Sequence, residues 1–420
     1  MDKSTRLNQM LETLAPAAHA CLSSLGRAAA YPEGIPAQSA EARGCALNAT
    51  VGQVTDGRGK PLALHALRRH VTGLDPVKAF LYGAQGGDRE LRHAWDRWIG
   101  EEGGDTPRSL PLVTVGLTHG LSLASELFVE PGSDVLLPDP CWGNYLQLFG
   151  LRRGAKLGRY QVYGPDGGFD VASLRDELAA RAGRPTTVVL NLPGNPTGYS
   201  PTHEEAARIV DVLVEAEGPL VVVLDDAYHT MVYEDGVLTE SLFWQLTRRA
   251  DPARLLPVKV DGATKELFFF GGRVGFLTFG VSGDAADVLE DKARCIVRAS
   301  VSAMPGPSAA MLLGALQDHT LKGQIAGVHA ELAARFRVLR ASLEQVRSDR
   351  LRPYPANGGC FMLVGLPDDL EAHEARRRLI REHSTGLVAI PPINALRIAF
   401  CSLSAQDIPE LVARLAAVVR

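Results

Sequence analysis

The 420-residue sequence predicts an α/β fold: a large domain on an open, mainly parallel sheet between helices, plus a smaller α+β domain. From about residue 110, short apolar runs alternate with amphipathic stretches, the rhythm of β-α units. Beyond Gly306 that rhythm gives way to a long helical region with separated strands. The length exceeds one ordinary core, so more than one domain is expected. We read 1–59 as an N-terminal arm and part of the small domain, 60–305 as the large domain, and 306–420 as the C-terminal small domain.

In chain order, LVTVG (112–116) reads as a strand and LSLASELFVE (121–130) as a helix stopped by Pro131 and Gly132. DVLLP (134–138) is a strand, and DVASLRDELAARAG (170–183) a helix with Gly183 as its stop. TTVVLNL (186–192) is a strand. THEEAARIVDVLVEAEG (202–218) is a helix capped by Thr202, with Glu205 three residues on, and PLVVVLDD (219–226) a strand. The small domain contributes FMLVGL (361–366), VAI (388–390), LRIAFCSL (396–403) and a terminal helix from Gln406. Sheets of this kind bind ligands beyond the carboxyl ends of their strands. Gly116 to Thr118, Pro140 to Tyr145, Asn191 to Gly198, Asp225 to Tyr228 and Lys265 should therefore converge.

Composition narrows the function. A formal charge of −4 offers no footprint for nucleic acid, and EARRRLIREH (374–383) reads as the wet face of a helix. Six cysteines without paired spacing argue against a zinc site or a disulfide framework, and no metal is expected. The start of the chain lacks a signal h-region, and no apolar run approaches the ~18 residues of a membrane span. A soluble, cytoplasmic protein is the expectation. GQVTDGRGK (52–60) lacks the lysine placement of a nucleotide-binding P-loop, and neither GGDREL (86–91) nor GGRVGF (271–276) has the dinucleotide spacing after a strand.

Lys265 stands in DGATKELFFFGGRVGF (261–276), an apolar run flanked by glycines, with Arg273 eight positions on. Such a setting can lower a lysine's pKa until its free amine attacks a carbonyl, the chemistry of a Schiff-base lysine. Upstream lie PDPCWGNY (138–145), NLPGNPTG (191–198) and VVVLDDAY (221–228).

Together these motifs, in this order, resemble fold-type I pyridoxal-phosphate enzymes, specifically the aspartate/aromatic aminotransferase family. The resemblance runs from NATVGQVTDGRGKP (48–61) to LRIAF (396–400) and implies a seven-stranded sheet. It implies pyridoxal 5′-phosphate held by Lys265, which later shuttles the substrate proton. Asp225 is implied to pair with the pyridine nitrogen, and Tyr228 and Asn195 to bond the phenolic oxygen. Trp142 is implied to stack on the ring, with Gly116, Leu117, Thr118 and Arg273 around the phosphate. Tyr82 matches a tyrosine sent to the phosphate by the neighbouring subunit, so a homodimer with shared active sites is implied. Arg397 matches the clamp for the substrate α-carboxylate, and Gly52 a glycine beside the substrate. Arg298 matches the arginine that meets a distal carboxylate, although Ala303 and Met304 replace the usual Asn and Pro. Gly262 stands where the family has a phosphate-binding serine. Asp139–Pro140 and Asn195–Pro196 match cis bonds.

The implied activity moves the amino group of a dicarboxylic or aromatic L-amino acid to a 2-oxo acid such as 2-oxoglutarate by ping-pong kinetics. A lyase, a decarboxylase or an oxidative enzyme on the same cofactor would share these residues. An aminotransferase-like regulatory protein would need a DNA-binding domain for which the N-terminal segment has no room.

Overall fold

The computed structural model describes residues 2–32, 34–346 and 350–419. Seven strands form the large sheet: β1 (Leu112–Val115), β2 (Asp134–Asp139), β3 (Lys156–Gln161), β4 (Thr186–Leu190), β5 (Leu220–Asp225), β6 (Leu255–Asp261) and β7 (Val274–Phe279). Their spatial order is β1-β7-β6-β5-β4-β2-β3, and β7 runs antiparallel to both of its neighbours while the other pairs are parallel. Val188, Val189, Val222 and Val223 are fully buried, as a sheet covered on both faces requires.

Helices α1 (Arg89–Gly103), α2 (Gly116–Phe128), α3 (Val171–Ala179), α4 (His203–Glu215), α5 (Leu242–Arg249) and α6 (Asp284–Ser300) accompany this sheet. Helix α4 starts as its sequence dictates, with Thr202 and Glu205 each bonding the other's backbone N–H. Helix α2 starts five residues earlier than the apolar pattern indicates. Gly116 to Thr118 are thus its first turn rather than a preceding loop, and that turn's N–H groups have no intrahelical acceptors.

Two long helices follow, α7 (Gly306–Leu316) and α8 (Leu321–Gln345). The small domain then adds β8 (Arg352–Pro353), β9 (Met362–Gly365), α9 (Ala372–His383), β10 (Val388–Ile390), β11 (Ala395–Ile398) and α10 (Ile408–Val419). Its sheet has the order β10-β11-β9-β8 and is antiparallel throughout. LRIAFCSL is strand only to Ile398, after which Phe400–Ser402 turn as a short 3-10 helix. Near the N-terminus Leu47–Asn48 pairs with Thr385–Gly386, joining the arm to the small domain.

Leu312, Leu313, Leu321 and Leu332 belong to the large apolar core, whereas Phe336 and Leu339 belong to the small one. Helix α8 thus contributes to both cores. Among the described residues no helix is long and apolar enough to cross a membrane.

Candidate active site

The carboxyl ends of the parallel strands surround a cavity of about 220 Å³. Leu117, Thr118, Trp142, Asn195, Asp225, Tyr228, Lys265 and Arg273 all line it, joined by Leu121, Asn191, Ala227 and Thr264. The loops after β2, β4, β5 and β6 thus converge as the rule for such sheets requires. Asp139–Pro140 and Asn195–Pro196 are both cis, and so is Leu192–Pro193.

Lys265 sits on a single helical turn, Ala263–Glu266, directly after β6. Its Nζ lies 5.2 Å from the Phe270 ring centre and 5.8 Å from that of Tyr228. Burial holds its pKa below the ordinary lysine value, which favours the free amine.

Asp225 ends β5 and is 4% exposed. Burial pushes its pKa up to about 6, against the opposing hydrogen bond from Tyr145. Tyr145 Oη donates to Asp225 Oδ2 at 2.6 Å, while the buried Asp225 Oδ1 has no partner. Tyr145 also meets Trp142 edge to face, with ring centres 5.5 Å apart. It therefore steadies two lining residues at once. The sequence marks Tyr145 only as the end of the stretch Pro140 to Tyr145, because the carboxylate it bonds stands 80 residues later.

Asn191 ties the next loop down. Its Nδ2 donates to Asp225 O at 2.8 Å, and its Oδ1 accepts from Asn195 N at 2.8 Å. Asn195 Oδ1 in turn accepts from Arg397 Nη1 at 2.9 Å.

An anionic ligand finds donors at the start of α2. Arg273 reaches over that turn. Gly116 has a φ of 71°, and a Cβ on it would lie 2.4 Å from Arg273 Nη2, so another residue there would be strained and would push the guanidinium aside. Gly262 is explained by its neighbours too. Its φ is 151°, and a Cβ there would stand 2.4 Å from the Gly275 Cα. The hydroxyl in this stretch belongs instead to Thr264, which lines the cavity and has only a long 3.4 Å contact to Val274 O. We expect Gly262→Ser to lower stability by about 1–3 kcal/mol in urea unfolding, because a backbone atom cannot yield as a side chain does. Unchanged stability would show that β7 can shift to admit it.

Arg397 on β11 is buried, 1% exposed, and lies 4.2 Å over the Phe361 ring. Two of its five donors go to Asn195 Oδ1 and, at 2.7 Å, to Thr50 O. Its Nε has no partner. Burial lowers its pKa to about 10, which leaves it cationic at neutral pH. Gly52 faces the other side of this arrangement. A Cβ there would come within 2.4 Å of Phe361 Cζ, so Gly52 makes space for the ring on which Arg397 rests.

Gly52, Tyr82, Gly116, Arg298 and Arg397 are not among the residues lining the cavity, although Arg397 bonds the lining residue Asn195. Tyr82 is 97% exposed, and Arg298, also exposed, donates to Ser302 Oγ at 2.5 Å.

Comparison with known proteins places this geometry. Residues 46–415 match the family aminotransferase class I and II. The chain belongs to that family. Aspartate aminotransferase 1 of Medicago sativa is 26% identical over 89% of this chain and 88% of its own length. The aromatic-amino-acid aminotransferase of Pseudomonas aeruginosa is 26% identical over 66% of this chain and 68% of its own. Matches to the first curated relatives span less than half of their lengths, 48% and 31%. In fold, the aspartate aminotransferase of Thermus thermophilus superposes with a TM-score of 0.75 at 20% identity, covering 94% of this chain and 99% of that one. Like that structure, this aminotransferase-family chain carries the fold-type I architecture.

Proposed function

We propose that the protein is a pyridoxal 5′-phosphate-dependent aminotransferase acting on a dicarboxylic or aromatic L-amino acid and a 2-oxo acid such as 2-oxoglutarate. The observation that carries this reading is one cavity holding a lysine of lowered pKa, an orphaned buried carboxylate oxygen and an arginine over a helix start. These residues fit the cofactor: Lys265 would join its aldehyde carbon, Asp225 Oδ1 would meet its pyridine nitrogen, and Arg273 with the first turn of α2 would hold its phosphate. Once bound, the cofactor supplies an electron sink for a carbanion.

The chain's own residues supply the rest. Arg397 grips the α-carboxylate with the donors that Asn195 and Thr50 leave over, and so orients the substrate Cα–H. Lys265, an amine of low basicity, would take that proton on its Nζ and later give it up again. Asp225 would hold a proton on the ring nitrogen of the bound cofactor. Trp142 covers the cavity with a flat apolar surface and excludes water.

Val71, Val77, Phe80 and Leu81 are 62–86% exposed beside Tyr82. This apolar stretch supports a homodimer in which Tyr82 and Arg298 act at the partner's cavity. A cytoplasmic setting is part of the same proposal, supported by six cysteines without paired spacing.

The decisive measurement is a single half-reaction. Protein loaded with pyridoxal phosphate and given aspartate, glutamate or an aromatic amino acid, with no acceptor, should release one equivalent of the matching 2-oxo acid. Release of carbon dioxide or ammonia instead would assign a decarboxylase or a lyase. No product from any of these donors would sink the substrate assignment.

A further inference from the structure

A second polar cluster is buried on the face of the sheet opposite the cavity. In the β5/β6 register Asp225 lies beside Val260, and Leu224 beside Lys259. Val260 packs against α2 at Gly120, so alternation along the strands turns Asp225 to the cavity side and Lys259 and Asp261 to the other. There the fully buried Lys259 Nζ lies 2.5 Å from Asp226 Oδ2 and 3.4 Å from Asp261 Oδ2.

The carboxylates are further bound from neighbouring elements. Ser241 Oγ donates to Asp226 at 2.5 Å, Trp95 Nε1 to Asp261 at 3.1 Å, and Trp98 Nε1 to Glu266 at 2.6 Å. His229 Nε2 stands 3.9 Å from Glu102 Oε1. Two sequence doublets are thereby divided. Asp225 and Lys265 face the cavity, while their neighbours Asp226 and Glu266 face the cluster.

We propose that Lys259 is a positioning residue for the reaction, pinning the segments that carry Asp225 and Lys265 and offsetting the negative charge that Asp226 would otherwise exert on Asp225. This rests on the function proposed above. The pinning is direct, since Asp226 and Asp261 flank the two functional segments and Asp226 N also donates to Val260 O at 2.9 Å. The charge effect follows from the balance of groups. Asp226, Asp261, Glu266 and Glu102 supply carboxyls, His229 an imidazole, and Lys259 the ammonium. Burial opposes the charge on both Asp226 and Lys259, and their attraction favours the charged form of each; the Ser241 bond also favours ionised Asp226, so its charge does not rest on Lys259 alone. The Asp226 charge in turn raises the proton affinity of Asp225. Interior charges act on one another far more strongly than they would in water.

The test compares Lys259→Met, Lys259→Arg and Asp226→Asn in the full-length protein. Two titrations are read: the pH midpoint of the visible absorption of the bound cofactor, and the pH dependence of Tm without cofactor. Lys259→Met should move both midpoints up by about one unit, and Asp226→Asn should move both down. Lys259→Arg should restore the wild-type values, and kcat should fall about tenfold in Lys259→Met with KM nearly unchanged. A merely structural cluster would lower Tm in all variants and leave the midpoints in place, which would overturn the proposal. If Lys259→Met does not fold, the direction of the Asp226→Asn shift decides. A wild-type protein that shows no visible band with pyridoxal phosphate would instead overturn the functional reading, and the cofactor-free titration would still judge Lys259.

Discussion

Lys265→Ala is expected to cost on the order of 10^4-fold in turnover while leaving the fold intact. The size follows from removing two contributions at once, covalent attachment and proton transfer at the substrate carbon. The intact fold follows from the surroundings of the side chain. Its amine faces the rings of Tyr228 and Phe270 in a setting that already disfavours the charged form, so truncation removes a group whose burial is costly. Lys265→Arg should not restore activity, because a guanidinium does not become a free amine at neutral pH. Steady-state rates against the best donor, with Tm as the control, check both statements. Retention of more than about a tenth of wild-type turnover by either variant would remove Lys265 from the chemistry.

The parts of this structure that were legible in the sequence are those whose cause is local. The parallel strands β4 and β5 showed themselves because both faces are buried, and every position could be apolar. The start of α4 showed itself because Thr202 and Glu205 bond within four residues. Strand β3 stayed hidden for the opposite reason. It lies at the sheet edge, and Lys156 and Gln161 are exposed at its ends. Strand β6 was masked by Lys259 and Asp261, polar residues that a buried strand carries only when partners arrive, here Trp95 from α1 and Asp226 just after β5.

The same contrast holds at the site. Asp225 and Lys265 stand in motifs that carry their spacing with them. Tyr145 gains its meaning from a carboxylate 80 residues later in the chain. The passage from one core to the other is not marked in the sequence, because α8 runs without a break from the first into the second and no glycine or proline stands between Leu332 and Phe336.

Asp225→Asn should move function and stability in opposite directions. In the role proposed for Asp225, an amide could not hold a proton on the cofactor's ring nitrogen as a carboxylate would, and turnover should fall on the order of 10^3-fold. Stability responds to a different property of the same group. Burial raises the folded pKa of Asp225 from 3.8 to about 6, so the carboxylate is harder to ionise in the folded protein than in the unfolded one. The sign follows: the folded state is not penalised below about pH 4, is penalised progressively between about pH 4 and 6, and carries the full cost above that. A shift of this size corresponds to roughly 3 kcal/mol. Cofactor-free Asp225→Asn should therefore match wild type near pH 4 and exceed it by up to roughly 3 kcal/mol above pH 7, as read by urea unfolding across that range. Tyr145→Phe provides the internal check. It removes the bond that favours the ionised form, so the penalty should grow and its midpoint should move to higher pH. An Asp225→Asn protein less stable than wild type at every pH would mean that the Tyr145 bond outweighs burial. With the predicted result, the carboxylate is a position where stability is given up for a buried charge, as the role proposed for Asp225 requires.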